Sequence, residues 1–301
     1  MSWTEVRVPA TSANLGPGFD ALGMALSIYL ECRFRPAGRL TIRPTGRDAG
    51  LISPGENNLI WQTAVAVAEH TGRPMPAIEL EVNNGIPIGK GLGSSAAALV
   101  AGVVIADEVL GLEWDRHKIM DEAARIEGHP DNVAAAVLGS IVASAVDGEG
   151  ITRAVRMQLP ARYGVAIVVP DFILPTSEAR AVLPSSYSRA DAVFNIQRSA
   201  LLIAAMLTAT TDAFHAALED RIHQPYRARL VPGLSAMLEL RAEGLLGAAL
   251  SGAGPSVLVF YERGHEAVVE EFQRIFREEG HGSDILWAHI PDHGYDLMRG
   301  L

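Results

Sequence analysis

The sequence predicts an α+β protein of two domains. Strand-like and helix-like segments alternate without the even spacing of a barrel, and the texture of the chain changes near residue 150. At 301 residues, 49% of them hydrophobic and 20% charged, the chain can bury a large core. The expected division is 1–155 and 156–301. No internal period of roughly 20–50 residues, the mark of a repeat protein, is found.

The elements follow in order. "EVRVPA" (5–10), "LSIYLECRF" (26–34) and "RLTIRP" (39–44) read as strands, the first two separated by a long turn-rich loop, "TSANLGPGFDALG". "NLIWQTAVAVAEHTG" (58–72) is an amphipathic helix with a glycine stop, and "AIELEVNN" (77–84) a strand. A glycine loop leads into a helix of small residues ending near Leu110, and a second helix runs from Asp115 to about Glu127 into "EGHPDNVAAAVLGS". Beyond residue 150, "ITRAVRMQL" and "YGVAIVVP" are strand-like, 188–209 is a long helix, and "TDAFHAALE" begins another. "GLLGAALSGAGPSVLVFYE" reads as strand, glycine turn, strand; an amphipathic helix and a closing strand, "SDILWAHIP", complete the chain.

Composition excludes several classes. A net charge of −10 argues against binding a nucleic-acid backbone. The longest near-continuous apolar run, Ala96 to Ala106, falls short of the roughly 18–20 residues of a membrane span, and no secretory leader opens the sequence. One cysteine, Cys32, permits no intrachain disulfide and fits a reducing, cytoplasmic setting. An anionic ligand must therefore be held locally, by backbone N–H groups or a few placed cations.

"GIPIGKGLGSSAAALVAG" (85–102) offers such a place. It fails the G-x-x-x-x-G-K-[ST] pattern, because Gly89-Lys90 is followed by Gly91 and Asn84 stands where the first glycine belongs. Gly91 to Ala96 satisfy G-x-G-x-x-A, but "NNGIPIGK" separates them from the preceding strand and Glu113 lies between two helices, a poor context for a dinucleotide. A plain glycine turn with close helix packing is the third reading. A fourth takes in the whole string Pro87-x-x-x-Gly91-Leu92-Gly93-Ser94-Ser95-Ala96. There, glycines let the backbone close around a polyphosphate at a helix N-terminus, and two hydroxyls add phosphate or metal ligands.

That string resembles the ATP-phosphate loop of the GHMP kinase superfamily. "VPATSANLGPGFDALGMAL" (8–26), "EGHPDNVAAAVLGS" (127–140) and "LSGAGPSV" (250–257) match further motifs in the same order, the first most similar to the homoserine kinase branch. The resemblance spans residues 8 to about 257. It implies a two-domain GHMP kinase fold, with an N-terminal domain like ribosomal protein S5 domain 2 and a ferredoxin-like C-terminal domain. It also implies ATP and Mg²⁺ as cofactors, a small-molecule alcohol as acceptor and a homodimer. Pro87, Lys90, Gly91, Leu92, Gly93, Ser94, Ser95 and Ala96 would bind ATP, and Ser95 with Glu127 would hold Mg²⁺.

For the acceptor, the first motif lacks the lysine or arginine of the mevalonate and galactose branches and offers Asn14 and Asp20 instead. The resemblance places these with His129, Asp131 and Asn132 in the acceptor pocket, and Glu127, Ser95, Asp131 and Asn132 at the reacting centre. Thr176, Arg180 and Arg227 match segments that supply arginines to a carboxylate, a bidentate role that lysine does not fill. Carboxylates for an ammonium and arginines for a carboxylate describe an amino-acid substrate, and the resemblance implies that it is L-homoserine. The weaker alternatives are another small alcohol, such as shikimate or a mevalonate-pathway compound, and a ligand sensor without turnover. Ser251, Gly252 and Gly254 are expected to support the phosphate loop.

Overall fold

The computed structural model describes residues 2–300. The first half runs β1 (Thr4–Ala13), β2 (Leu22–Pro36), β3 (Thr41–Gly46), α1 (Leu59–His70), β4 (Ile78–Asn84), α2 (Ser94–Leu110), α3 (Arg116–Glu127), α4 (Asp131–Leu138), β5 (Ile141–Val146) and β6 (Thr152–Met157). The second half continues with β7 (Tyr163–Pro170), α5 (Thr176–Ala181), α6 (Arg189–Thr208), α7 (Thr211–Ala217), α8 (Gln224–Arg227) and α9 (Leu234–Glu239). It ends with β8 (Leu245–Leu250), β9 (Val257–Glu262), α10 (Glu270–Glu278), β10 (Ser283–Ala288) and β11 (Asp296–Arg299).

The first sheet has the order β11–β1–β2–β4–β3, with β5 and β6 attached through β2. β2 is long enough to serve two neighbours: Leu22–Met24 pair with β5, and Leu30–Pro36 pair with β4. Alternate apolar residues of β1 and β2, among them Val6, Val8, Met24 and Leu26, are fully buried. The covering helix α2 is apolar nearly all round and correspondingly interior, with Ala97, Val100, Val103 and Val104 inaccessible to solvent. Asn58 and Asp115 cap α1 and α3 through their side chains. Cys32 is buried on β2, and burial pushes its thiol up, away from reactivity.

The second sheet, β10–β7–β9–β8, is antiparallel throughout. With helices between its first and second and its third and fourth strands, it is a βαββαβ unit of ferredoxin-like order. Val168, Leu250, Val259, Phe272 and Phe276 form a separate core behind it.

Two expectations change. The division after residue 155 falls inside β6, and β11 returns to pair with β1, so the first layer includes a strand from the end of the chain. The loop after β1 is also shorter than expected. Thr11, Ser12 and Ala13 continue the strand opposite Ala25, Met24 and Gly23, and the turn occupies 14–21 alone. Helix α6 reaches the length and mean hydropathy, 1.2, of a membrane span. Its Asn195 and Ser199 side chains nevertheless donate to the Pro17 carbonyl at 3.1 and 2.9 Å, bracing that turn.

Candidate active site

The turn between β1 and β2 is held in a conformation that side chains rarely adopt: Asn14, Leu15 and Asp20 all have positive φ (69°, 47° and 54°). Asn14 secures it. Its Nδ2 donates to the Gly252 carbonyl at 2.9 Å, and its Oδ1 accepts from the Asp20 backbone at 3.0 Å. Asp20 is thereby presented outward, while Asn14 is almost fully buried.

Between β4 and α2 the glycine loop turns back on the C-terminal half. Gly91 and Gly93 have φ of 75° and 65°, and a side chain at Gly91 would strike the Ser251 carbonyl. Ser251 Oγ lies 2.7 Å from the Gly91 carbonyl and 2.9 Å from Ser12 Oγ, so its one proton goes to the carbonyl and Ser12 donates to it. Ser256 N donates to the Lys90 carbonyl and Gly252 N to Ala13, at 3.3 and 3.1 Å. The clasp leaves the first turn of α2, from Ser94, open to a cavity, with Gly93 as a cap that adds no side chain.

At the α3–α4 corner, the Asp131 carboxylate accepts at Oδ1 from His129 Nδ1 at 2.8 Å, from Asn132 N at 2.8 Å and weakly from Asn132 Nδ2 at 3.4 Å. His129 Nε2 lies 3.8 Å from Glu127 Oε1. Burial disfavours a charged His129, but Asp131 and Glu127 outweigh it and the imidazole pKa is raised. Burial is the main cause of a raised Glu127 pKa, with His129 opposing and the Asp131 charge adding. The Glu127 carboxylate makes no hydrogen bond among the described residues. Asp20 completes the group, so that ligand atoms of Asp20, His129 and Asp131 lie within 4.8 Å of one another.

Two arginines face this acidic corner. Arg180 of α5 pairs with Asp20 through both nitrogens. Arg227 of α8 is 1% exposed; its Nε donates to the Ala179 carbonyl at 3.1 Å, and its Nη1 lies 3.1 Å from both His223 Nδ1 and the Gly252 carbonyl. Burial, then the neighbouring Arg180 charge, lowers its pKa to about 10, still a cation at neutral pH. Its Nη2 has no partner among the described residues.

All of this surrounds one cavity of about 390 Å³. Asn14, Asp20, Glu127, His129, Asp131, Asn132, Thr176, Arg180 and Arg227 line it, together with Pro87, Gly91 to Ala96 and Gly252. A cradle of backbone N–H groups and a set of paired charges thus share one space, the arrangement a phosphoryl donor and a zwitterionic acceptor require.

Comparison with known proteins decides the family. The models of the GHMP kinase N-terminal and C-terminal domains match residues 58–140 and 202–281. The chain is 64% identical to the homoserine kinase of Solibacter usitatus over 298 residues, covering 99% of this chain and 98% of that protein. The chain belongs to the homoserine kinase family. It is also 47% identical to the homoserine kinase of Deinococcus radiodurans, over 89% of this chain and 87% of that one. A crystal structure of homoserine kinase from Cytophaga hutchinsonii superposes with a TM-score of 0.82 at 27% identity, covering 99% and 98% of the two chains. The fold is the two-domain α+β fold of the GHMP kinases, and the chain is an ATP-dependent kinase of that group.

Within that family frame, the side chains of two expected residues are engaged elsewhere, and two supporting residues keep their place. The Lys90 ammonium points away from the cavity and donates to the Pro170 and Phe172 carbonyls at 2.8 and 2.7 Å, tying the phosphate loop to β7. The Asn14 amide spends its polar atoms on backbone partners, so its work is to shape the turn that carries Asp20. Ser251 and Gly254 stand behind the loop, outside the cavity lining. Two buried residues escaped the sequence reading. Thr11 lies beneath Gly93 and His223 behind Arg227; Thr11 belongs to a quoted motif, yet neither has a side chain that announces its role.

Proposed function

We propose that this kinase transfers the γ-phosphoryl group of ATP to the side-chain hydroxyl of L-homoserine, giving ADP, O-phospho-L-homoserine and a proton. The observation that carries the reading is the cavity itself, where the phosphate loop and the Asp20–Arg180 pair face one space. ATP, when bound, supplies the phosphoryl group. The backbone N–H groups of Gly93 to Ala96 would hold its phosphates at the N-terminus of α2, and Ile52, Ile60 and Val82 offer apolar lining for its base.

Asp20 and Asp131 receive the substrate ammonium, which needs several acceptors without fixed geometry, and His129 lines the pocket beside them. Arg180 and the free Nη2 of Arg227 grip the carboxylate, with Thr176 at the start of α5 beside them. Asn132 orients the acceptor hydroxyl. A partly buried carboxylate with no hydrogen-bond partner and a hydroxyl on the loop are a donor set that fits a hard divalent cation. Glu127 and Ser95 would hold Mg²⁺ there, and the ion would neutralise phosphate charge. A phosphoryl transfer with a loose transition state asks the protein chiefly for alignment and charge stabilisation, so no strong base need be invoked.

The chain is proposed to work as two domains that meet at this cavity, divided near the expected residue 155 but just past the end of β6, and to act in the cytoplasm as a homodimer. Exposed Val193, Ile196 and Leu207 along α6 support the last point, and sedimentation of the purified protein tests it. No nucleic-acid or membrane partner is proposed. The activity is tested by ADP release with Mg-ATP and L-homoserine, against L-serine, L-threonine, shikimate and mevalonate. Release with homoserine alone is expected; release with another acceptor overturns the substrate.

A further inference from the structure

Thr11 sits where the two halves of the reaction meet. It is fully buried, and its backbone N–H donates to the Leu92 carbonyl at 3.1 Å, inside the phosphate loop. Its hydroxyl lies 2.7 Å from Asn132 Oδ1, 121 residues away in sequence. Any side chain at Gly93 would collide with that hydroxyl and would crowd Asn132 Oδ1 at 3.2 Å, so the loop, Thr11 and Asn132 are in contact as one stack.

The hydrogen bonds fix which way the Asn132 amide faces. Asp131 Oδ1 approaches Asn132 Nδ2 at 3.4 Å, and a carboxylate oxygen only accepts. The amide nitrogen therefore belongs on the Asp131 side and the amide oxygen on the Thr11 side. Thr11 must then be the donor, since a carbonyl oxygen cannot donate. With Oδ1 held by Thr11, what Asn132 has left to offer an incoming hydroxyl is an N–H.

We propose that Thr11 is a positioning residue: its hydroxyl locks Asn132 with the amide N–H toward the acceptor hydroxyl, and its backbone ties that orientation to the phosphate loop. The acceptor oxygen then receives a hydrogen bond and keeps a lone pair for the γ-phosphorus, while its own proton is not taken by Asn132. Without the Thr11 hydroxyl, only the weak 3.4 Å contact from Asn132 Nδ2 to Asp131 Oδ1 resists the amide turning over and presenting its oxygen instead. Donor and acceptor would still bind, but the hydroxyl would be misaimed. This rests on the homoserine phosphorylation proposed above, so wild-type turnover of homoserine is established first; its absence would defeat that reading and not this one.

The test is a set of variants read by steady-state kinetics. Thr11→Val keeps the shape and removes the hydroxyl; Thr11→Ser keeps the hydroxyl. Thr11→Val is expected to lower kcat roughly tenfold to a hundredfold with both KM values within about threefold, and Thr11→Ser to stay within about threefold of wild type. In an Asn132→Ala background, Thr11→Val is expected to cost nothing further, because Thr11 acts through that amide. Should Thr11→Val not fold, Thr11→Ala takes its place in the same cycle. An additive loss in the Asn132→Ala background, or full activity without the hydroxyl, overturns the proposal.

Discussion

Arg180 and Asp20 hold each other across the cavity, Nη2 2.9 Å from Oδ1 and Nη1 3.4 Å from Oδ2. One belongs to α5 and the other to the strained turn after β1, so the pair joins the two layers of the molecule. Both side chains are about one-third exposed, 38% and 33%, and such a pair is worth no more than about 1 kcal/mol. A zwitterion can displace it at little cost, giving an ammonium to Asp20 and a carboxylate to Arg180. A substrate with a single charge would strip one residue of its partner without replacing the other's.

Arg180→Ala is therefore expected to raise the KM for homoserine by roughly tenfold to a hundredfold, with kcat falling less than about tenfold; Arg180→Lys should not restore it, since one ammonium cannot replace a guanidinium fork. Neither 4-hydroxybutyrate nor 3-aminopropan-1-ol, which each keep one of the two charges, should reach a hundredth of the homoserine kcat/KM, by roughly the cost of an unpaired charge. Good turnover of either analogue would show that the pair is not exchanged by a zwitterion.

Asp131 offers a sharper distinction. Its Oδ1 is taken by His129 and the Asn132 backbone, which suits a group that organises its neighbours and holds an ammonium. Asp131→Asn should mainly raise the homoserine KM, with kcat reduced less than about tenfold. A several-thousandfold loss of turnover at unchanged KM would instead make Asp131 the base that takes the hydroxyl proton.

Much of this was legible in the chain. Glycines that need positive φ, a helix that begins at Ser94, and carboxylates spaced on the "EGHPDN" corner are local features, and local features show in sequence. The long-range pairings did not. Lys90 looks like a phosphate ligand until the end of β7 and the residues just after it place two carbonyls beside it, and Asn14 looks like a substrate contact until Gly252 arrives from the other end of the chain. β5 was hidden because "IVASAV" is too small and mixed to stand out; it is a strand because β2 has a free edge there. Thr11 and Ser12 read as loop for the same reason: their strand character comes from pairing with Ala25 and Met24.

Lys90 then becomes a test of stability. Its two hydrogen bonds to backbone carbonyls anchor the loop to β7, and burial lowers its pKa, with the Asp171 charge opposing. Lys90→Met is expected to cost about 1–3 kcal/mol in urea unfolding while the KM for ATP changes less than about threefold. A KM for ATP raised a hundredfold in a stable variant would return Lys90 to the phosphates.

Glu127 should behave in the opposite way. A carboxyl whose pKa is raised by burial gains from a bound cation, so Glu127→Gln should lower kcat by at least about a hundredfold and raise the Mg²⁺ concentration needed for half-maximal rate. Its fold stability should change little or improve, because a buried charge is removed. An unaltered Mg²⁺ requirement would place the metal elsewhere, with the Asp20–His129–Asp131 group as the next candidate.

His223 gives a pH dependence with a definite sign. Its Nδ1 faces Arg227 Nη1 at 3.1 Å and its Nε2 faces the Gly16 carbonyl at 2.7 Å. A guanidinium only donates, so Nδ1 is bare, Nε2 carries the proton, and the ring is neutral. Burial is the main reason that its pKa lies below the ordinary 6.5, against the pull of Asp220 and with the Arg227 charge adding. As pH falls through the ordinary histidine range, the unfolded chain gains a proton that the folded one refuses. The unfolded state then binds more protons, and stability declines until the folded pKa is reached. His223→Gln cannot titrate, so between about pH 7.5 and pH 5 its unfolding free energy should fall less steeply than that of wild type. His215, whose pKa burial also lowers, is present in both proteins and cancels in the difference. Parallel curves in urea unfolding across that range would mean that His223 takes its proton as easily inside the protein as outside it, and that Arg227 leans on something else.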